Sequence, residues 1–225
     1  AIEAVTVPTD SDVKKNANSD LDKTAAAAKN AIDETSGLTA DQKKTAKGQI
    51  DQAVTDAQEK IKNASDNKGV ADATAAGKLA IDKVSANAAI DDALAKKIEE
   101  INKANLTDDE KSKLTTEANT AAKNAKDKIQ SATTNDGATQ AGKDGVAAIE
   151  AVTVPTDSDV KKNANSDLDK TAAAAKNAID ETSGLTADQK KTAKGQIDQA
   201  VTDAQEKIKN ASDNKGVADA TAAGK

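Results

Sequence analysis

Residues 21–78 read LDKTAAAAKN AIDETSGLTA DQKKTAKGQI DQAVTDAQEK IKNASDNKGV ADATAAGK, and apolar residues recur through them every three or four positions. That spacing is the helical period, so one side of each run faces a core. Extended upstream, the first stripe is Val13, Ala17, Leu21, Ala25, Ala28 and Ile32. The second is Ala46, Ile50, Ala53, Ala57, Ile61 and Ala64, and the third is Val70, Ala73, Gly77, Ala80 or Ile81, and Val84. Three amphipathic helices are expected, with Ser36-Gly37-Leu38 and Ser65-Asp66-Asn67-Lys68-Gly69 as the breaks. Thr39-Ala40-Asp41-Gln42 has the spacing of a capping box, in which Thr39 caps the new helix and Gln42 reaches back.

Working outward, the stretch belongs to a 78-residue string, residues 1–78, that recurs without a substitution as residues 148–225. Residues 79–147 differ but keep the landmarks: Leu38-Thr39 becomes Leu106-Thr107, Ile61 becomes Ile129 and Gly69 becomes Gly137. The chain therefore divides into three units of one design, 1–78, 79–147 and 148–225. The fold class expected is all-α, as tandem three-helix bundles. In an up-down-up bundle the chain enters at one end and leaves at the other, so units stack end to end into an elongated rod. With helices of about 25 residues, each about 38 Å long, the rod would measure on the order of 100 to 140 Å.

The junctions differ. Val152-Thr153-Val154-Pro155, like Val5 to Pro8, is expected to be partly extended, because proline disfavours helix at the preceding residue. Thr156, Asp157 and Ser158 then offer caps. The junction Val84 to Ile90 has no proline and is shorter, which leaves open whether the third helix of the first unit runs straight into the first helix of the middle unit.

Composition narrows the function. The 225 residues contain no Phe, Tyr, Trp, Met, Cys, His or Arg, so the core is built from Ala, Val, Ile and Leu alone. Such a core is thin, without a disulfide or metal staple, and stability should be modest and partly borrowed from neighbouring units. A net charge of −6, with no basic stripe and no stacking ring, argues against nucleic acid as a partner. No run of 18 apolar residues exists, which argues against membrane insertion. Neither end reads as a signal peptide or anchor, and the pattern opens and closes partway through a repeat, so the chain is expected to be a segment of a longer protein.

Carboxylates are the only catalytic raw material, at Asp10/Asp12, Asp33/Glu34, Glu99/Glu100 and Asp108/Asp109/Glu110. They sit at helix starts or beside lysines and read as solvated faces and favourable charge at helix N-termini. Without His or Cys neither a Ser-His pair nor a zinc site can be assembled, which leaves Ser-Lys chemistry as the only covalent option. No catalytic, cofactor-binding or metal-ligating residue is assigned, and no cofactor. Asn63-Ala64-Ser65 and Asn105-Leu106-Thr107 fit the glycosylation triplet. Gly77, Gly145 and Gly224 recur within a helical stripe, pointing to close approach of a neighbouring helix or, alternatively, to a helix end or kink. Gly48 and Gly195 fall off the stripe, where the middle unit has Thr116.

The run Ala31-Ile32-Asp33, Leu38-Thr39-Ala40-Asp41-Gln42-Lys43, then Ile50, Ala53, Ala57, Ile61, Ala64, Val70, Ala73, Gly77 and Ile81 resembles the tandem helical repeats of Gram-positive cell-wall-anchored surface proteins, domain-of-unknown-function family 1542. The Val5 to Pro8 junction and its copy at Val152 to Pro155 fit the same pattern, from which the middle unit departs. Albumin-binding three-helix modules share the Leu-Thr-x-x-(Gln/Glu)-Lys start. The resemblance implies an extracellular stalk, cell-wall anchored in the full-length protein, serving adhesion, aggregation or biofilm formation through a distal domain. The reading from sequence is thus a non-enzymatic spacer, monomeric as a fragment. The alternative is a helical binding module for a host protein, albumin-like or matrix, or for identical repeats on another cell, through weak and avid contacts.

Overall fold

A computed structural model of the chain describes residues 11–225. The Val5 to Pro8 junction and Asp10 lie outside the described residues. Among those described, the secondary structure is eight helices and no strand: α1 Ser11–Glu34, α2 Ala40–Asn63, α3 Asn67–Lys103, α4 Asp108–Ser131, α5 Asn135–Glu150, α6 Asp159–Glu181, α7 Ala187–Asn210 and α8 Asn214–Ala223. The fold is all-α, in successive three-helix bundles. The first uses α1, α2 and the first part of α3; the second uses the rest of α3 with α4 and α5; the third uses α6, α7 and α8. Three cores of aliphatic residues come in the same order.

Helix limits come from side chains next to the backbone. Thr39 accepts from the Gln42 N–H while Gln42 accepts from the Thr39 N–H, and Thr186 with Gln189 repeats this, satisfying donors that a helix start leaves unpaired. Asp66 ends the next break by accepting from the Gly69 N–H at 2.6 Å, as Asp213 does for Gly216. Ser158 caps α6, accepting from Lys161. The junction that the sequence leaves open is a single helix: α3 runs 37 residues without interruption and supplies both Ile81 to the first core and Ile90 to the second. Nothing in Val84 to Ile90 breaks it, since no proline, glycine or capping pair falls there.

By contact the chain forms two compact units, Ala1–Glu99 with Glu117–Thr153, and Glu100–Thr116 with Val154–Lys225. In the first unit, Leu21, Ile32, Ile50, Ile61 and Ile81 are fully buried on the stripes expected of them. The helices close to backbone distance at the recurring glycines. A Cβ placed on Gly77 would lie 2.5 Å from Ala57 Cβ and 2.8 Å from Leu21 Cδ2, and one on Gly145 would collide with Ala125 Cβ. Gly224, in the second unit, would meet Ala204 Cβ at 2.5 Å.

Because residues 11–78 and 158–225 are the same sequence, differences between their bundles arise from surroundings alone. One half agrees: Leu168, Ala204, Ile208, Val217 and Ala220 are buried like Leu21, Ala57, Ile61, Val70 and Ala73. The other half does not. Ala25, Ala28, Ile32, Leu38 and Ile50 are buried, whereas their copies Ala172, Ala175, Ile179, Leu185 and Ile197 are half-buried. In the first unit that end is closed by α3 beyond the repeat: Ile81 and Ala88 join its core, Val84 packs on it, and Asp92 accepts from the Gly37 N–H at 2.6 Å. The 78-residue sequence repeat is thus not a complete packing unit; the residues that finish its core lie about one helix turn and more beyond it.

Amide exchange measured by NMR, with the two copies labelled separately, is expected to be at least about five-fold faster at Ile179 and Ile197 than at Ile32 and Ile50, the ratio for about 1 kcal/mol of local stability. Equal rates would remove the role given to residues 79–95. For the glycines, Gly77→Ala is expected to destabilise to thermal or urea unfolding, because the Ala57 methyl has nowhere to swing. Gly48→Ala, at an exposed site with nothing within 4 Å of the added carbon, is expected to stabilise by up to about 1 kcal/mol.

Candidate functional site

The acidic clusters resolve into structural roles. Asp33 pairs with Lys47 across α1 and α2 at 2.7 Å, and Glu34 is exposed at the end of α1. Glu99 and Glu100 lie exposed on α3. Asp12, Asp108, Asp109 and Glu110 all fall in the first turns of their helices, where negative charge meets the positive end of the dipole. Among the described residues no group of three or more acidic side chains is placed to hold a metal ion.

Lysines perform a job that the sequence pattern does not reveal. In each bundle one lysine from the first helix donates to a carbonyl at the end of the second: Lys14 to Lys62 O at 2.8 Å, Lys83 to Gln130 O at 2.7 Å, Lys161 to Lys209 O at 2.9 Å. A second series runs the other way, from the second helix to the end of the first: Lys43 to Asp33 O, Lys111 to Asn102 O and Lys190 to Asp180 O. Each places a cation on carbonyls that the helix leaves without partners. Lys97, only 9% exposed, does the same for the end of α5 through Glu150 O and Val152 O. Further pairs, such as Lys29 with Asp51 and Lys126 with Asp91, tie helices together at the surface and contribute at most about 1 kcal/mol each.

The densest polar arrangement is in the second unit, where the α3–α4 turn meets the start of α6 and the α7–α8 turn. Leu106 and Thr107 are buried there, 5% and 0% exposed. Asn105 forms an isolated parallel bridge with Asp157 and its carbonyl accepts from Ser158 N–H at 3.2 Å. The extended passage expected before α6 is therefore used as a connector. Asp108 N–H donates to Ser212 O at 2.7 Å, Asp109 accepts from Asn214 N–H at 3.1 Å, and the Thr107 hydroxyl lies 2.7 Å from Asn214 Oδ1. Glu110 completes it: one oxygen accepts from Thr107 N–H at 2.9 Å, the other faces Val160 N–H at 3.4 Å. Burial pushes this carboxyl up, but the Thr107 N–H, the Ser158 hydroxyl and the Val160 N–H together bring it below its ordinary value of 4.5.

The sequence reads Thr107-Asp108-Asp109-Glu110 as the middle unit's capping box, and the structure forms it, Thr107 Oγ1 accepting from Glu110 N–H as Glu110 accepts from Thr107 N–H. The second contact, to α6, is what the sequence reading passes over, and its signal is a substitution. Gln42 and Gln189 fill the same capping position in the other bundles and need only one acceptor. A carboxylate offers two, and the second serves α6. Of the glycosylation triplets, Asn105-Leu106-Thr107 has its threonine buried, and Asn63 sits exposed at the end of α2. A groove between α3 and α5, lined by Asp82, Ala86, Ala89, Gly142 and Val146, is open to solvent and floored by close helix contact, since a Cβ on Gly142 would lie 2.9 Å from Ala86 Cβ. These features hold helices in place.

Glu110→Gln keeps the cap and loses the charged second acceptor, so it is expected to destabilise the second unit by about 1 kcal/mol at pH 7. A carboxyl with a lowered folded value stabilises above its unfolded value of 4.5, and that contribution disappears as pH falls through the folded value. The gap in melting temperature between parent and variant should accordingly be widest near neutrality and close in acid. A gap independent of pH would show that the charge is not what matters.

No described helix is long and apolar enough to cross a membrane. Comparison with curated proteins and with solved structures finds no match. The family described as Domain of Unknown Function (DUF1542) matches three times, at residues 13–87, 82–157 and 160–225. The first two matches share residues 82–87, the part of α3 that passes between the first two cores, and the last begins just after the Ser158 cap. With matches spanning nearly all of its length, the chain belongs to the DUF1542 family, as three tandem repeats.

Proposed function

We propose that this chain is a non-enzymatic spacer, a stretch of the stalk of a bacterial cell-surface adhesin that is cell-wall anchored in the full-length protein and holds a distal binding domain away from the wall. The observation that carries the reading is α3, one 37-residue helix that belongs to two successive cores. A shared helix passes load from bundle to bundle through hydrogen-bonded backbone, which is what a spacer needs and an active site does not. Three supports accompany it. Each bundle takes the chain from one of its ends to the other. The polar side chains are spent on helix ends and interhelix pairs. The surface, at net charge −6, lacks the aromatic and arginine anchors that dominate tight interfaces.

A second reading is a binding module for a host protein or for identical repeats, through weak and avid contacts. Two measurements separate the readings. Small-angle scattering on arrays of increasing repeat number should show length growing by a near-constant increment with fixed cross-section. Titration against serum albumin, matrix proteins and the array itself should show no saturable binding. Micromolar or tighter binding of a single partner would replace the spacer with the binding module.

A further inference from the structure

Two kinds of junction occur in this one chain, and a different turn meets each. Between Ile81 and Lys83 stands Asp82 alone; between their counterparts Ile149 and Lys161 lie the eleven residues 150–160, which hold the break between α5 and α6. Shared roles fix the correspondence: Ile81 and Ile149 are both 0% exposed, and Lys83 and Lys161 each donate to a carbonyl at the end of the second helix of their bundle. The turn before each junction differs as well. Leu38 follows Ile32 by six positions, through Gly37, and Leu106 follows Ile101 by five, through Asn105. We infer that this turn selects the junction and so the kind of repeat that can follow: the longer glycine turn takes a continuing helix, and the shorter asparagine turn with Glu110 takes the proline-bearing connector.

The two turns present opposite surfaces. Gly37 does not serve an unusual backbone, since no described glycine has a positive φ. What it admits is the side of α3: its N–H donates to Asp92 at 2.6 Å, and an added Cβ would fall 2.7 Å from the Asp92 carbonyl oxygen. The asparagine turn presents acceptors instead. Asn105 O accepts from Ser158 N–H at 3.2 Å, and the second oxygen of Glu110 faces Val160 N–H at 3.4 Å. Both donors exist because α6 starts there; within a continuing helix each would already be committed to the carbonyl four residues back. The far turn of the following bundle changes partner accordingly. Asn135 donates to Asp82 at 2.7 Å, whereas the extended junction has Val160 at that position, and Asn214, the counterpart of Asn135, accepts from the Thr107 hydroxyl at 2.7 Å. An asparagine turn set against a helix side would find no N–H to bond, and a glycine turn set against a helix start would leave first-turn donors unmet. Selection of this kind serves a spacer and a binding array alike.

The test is a two-by-two exchange in the 225-residue chain. Residues 35–42 are replaced by the sequence of residues 104–110, and separately Asp82 is replaced by the sequence of residues 150–160. Either change alone mismatches turn and junction, and amide exchange at Ile32 and Ile50 is expected to accelerate at least about fivefold. Made together the changes match again, and both rates should return to within about twofold of the parent. Single changes without effect, or a combined chain no slower in exchange than the single ones, overturn selection by the turn. Point substitutions decide the matter if an exchanged chain fails to fold. Gly37→Ala should accelerate exchange at Ile32 and Ile50 about fivefold or more, while Gly184→Ala, in the same turn sequence with nothing within 4 Å of the added carbon, should leave Ile179 and Ile197 within about twofold. Equal effects at the two glycines would give the residue a purely local role and overturn the inference.

Discussion

Everything in this fold depends on how closely the helices approach one another. With no side chain larger than leucine in its cores, a three-helix bundle can exclude water only if the backbones come near enough for alanine and isoleucine to fill the remaining space. Gly77, Gly145 and Gly224 are where this limit is reached, each facing an alanine of the second helix and a leucine or isoleucine of the first. A glycine inside a helix costs about 1 kcal/mol relative to alanine, and here the contact it permits offsets that. Lysines from a neighbouring helix and capping side chains satisfy backbone groups that the helix ends leave unpaired.

Bundle ends are finished in different ways within one chain. The first is closed by a helix that continues into the next core. At the α3–α4 turn, Leu106 and Thr107 are buried beside an extended connector, with Glu110 and Ser158 supplying the hydrogen bonds. Local stability in an array of this kind is a property of each unit together with its C-terminal neighbour, as nearest-neighbour descriptions of repeat proteins require.

Much of this is legible in the sequence because it is local or periodic. The stripes from Val13 to Ile32 and from Ala46 to Ala64, the caps at Thr39, Thr186 and Ser158, and the crowding at Gly77 and Gly145 each depend on residues a few positions apart or on a repeat of them. The features that escape depend on partners distant in sequence. The continuity of α3 is not decided by sequence, since absence of a break is weaker evidence than a cap. Lys14, Lys83 and Lys161 look like solvated charge because a carbonyl acceptor on another helix leaves no mark in composition. The second contact of Glu110, to α6, is readable only against Gln42 and Gln189.

The uninterrupted helix has an implication for how such arrays change over evolutionary time. A helix advances about 1.5 Å and turns about 100° with each residue, so inserting or deleting a single residue between Ile81 and Ile90 would swing every downstream core position away from its partners. The α3 passage is therefore phase-locked: only changes near whole multiples of a turn leave both cores intact. The Val152 to Pro155 passage carries no helical phase, and a change of one residue there disturbs a connector and its few hydrogen bonds. Unequal exchange that adds or removes repeats should leave its scars at the extended junctions and spare the helical ones.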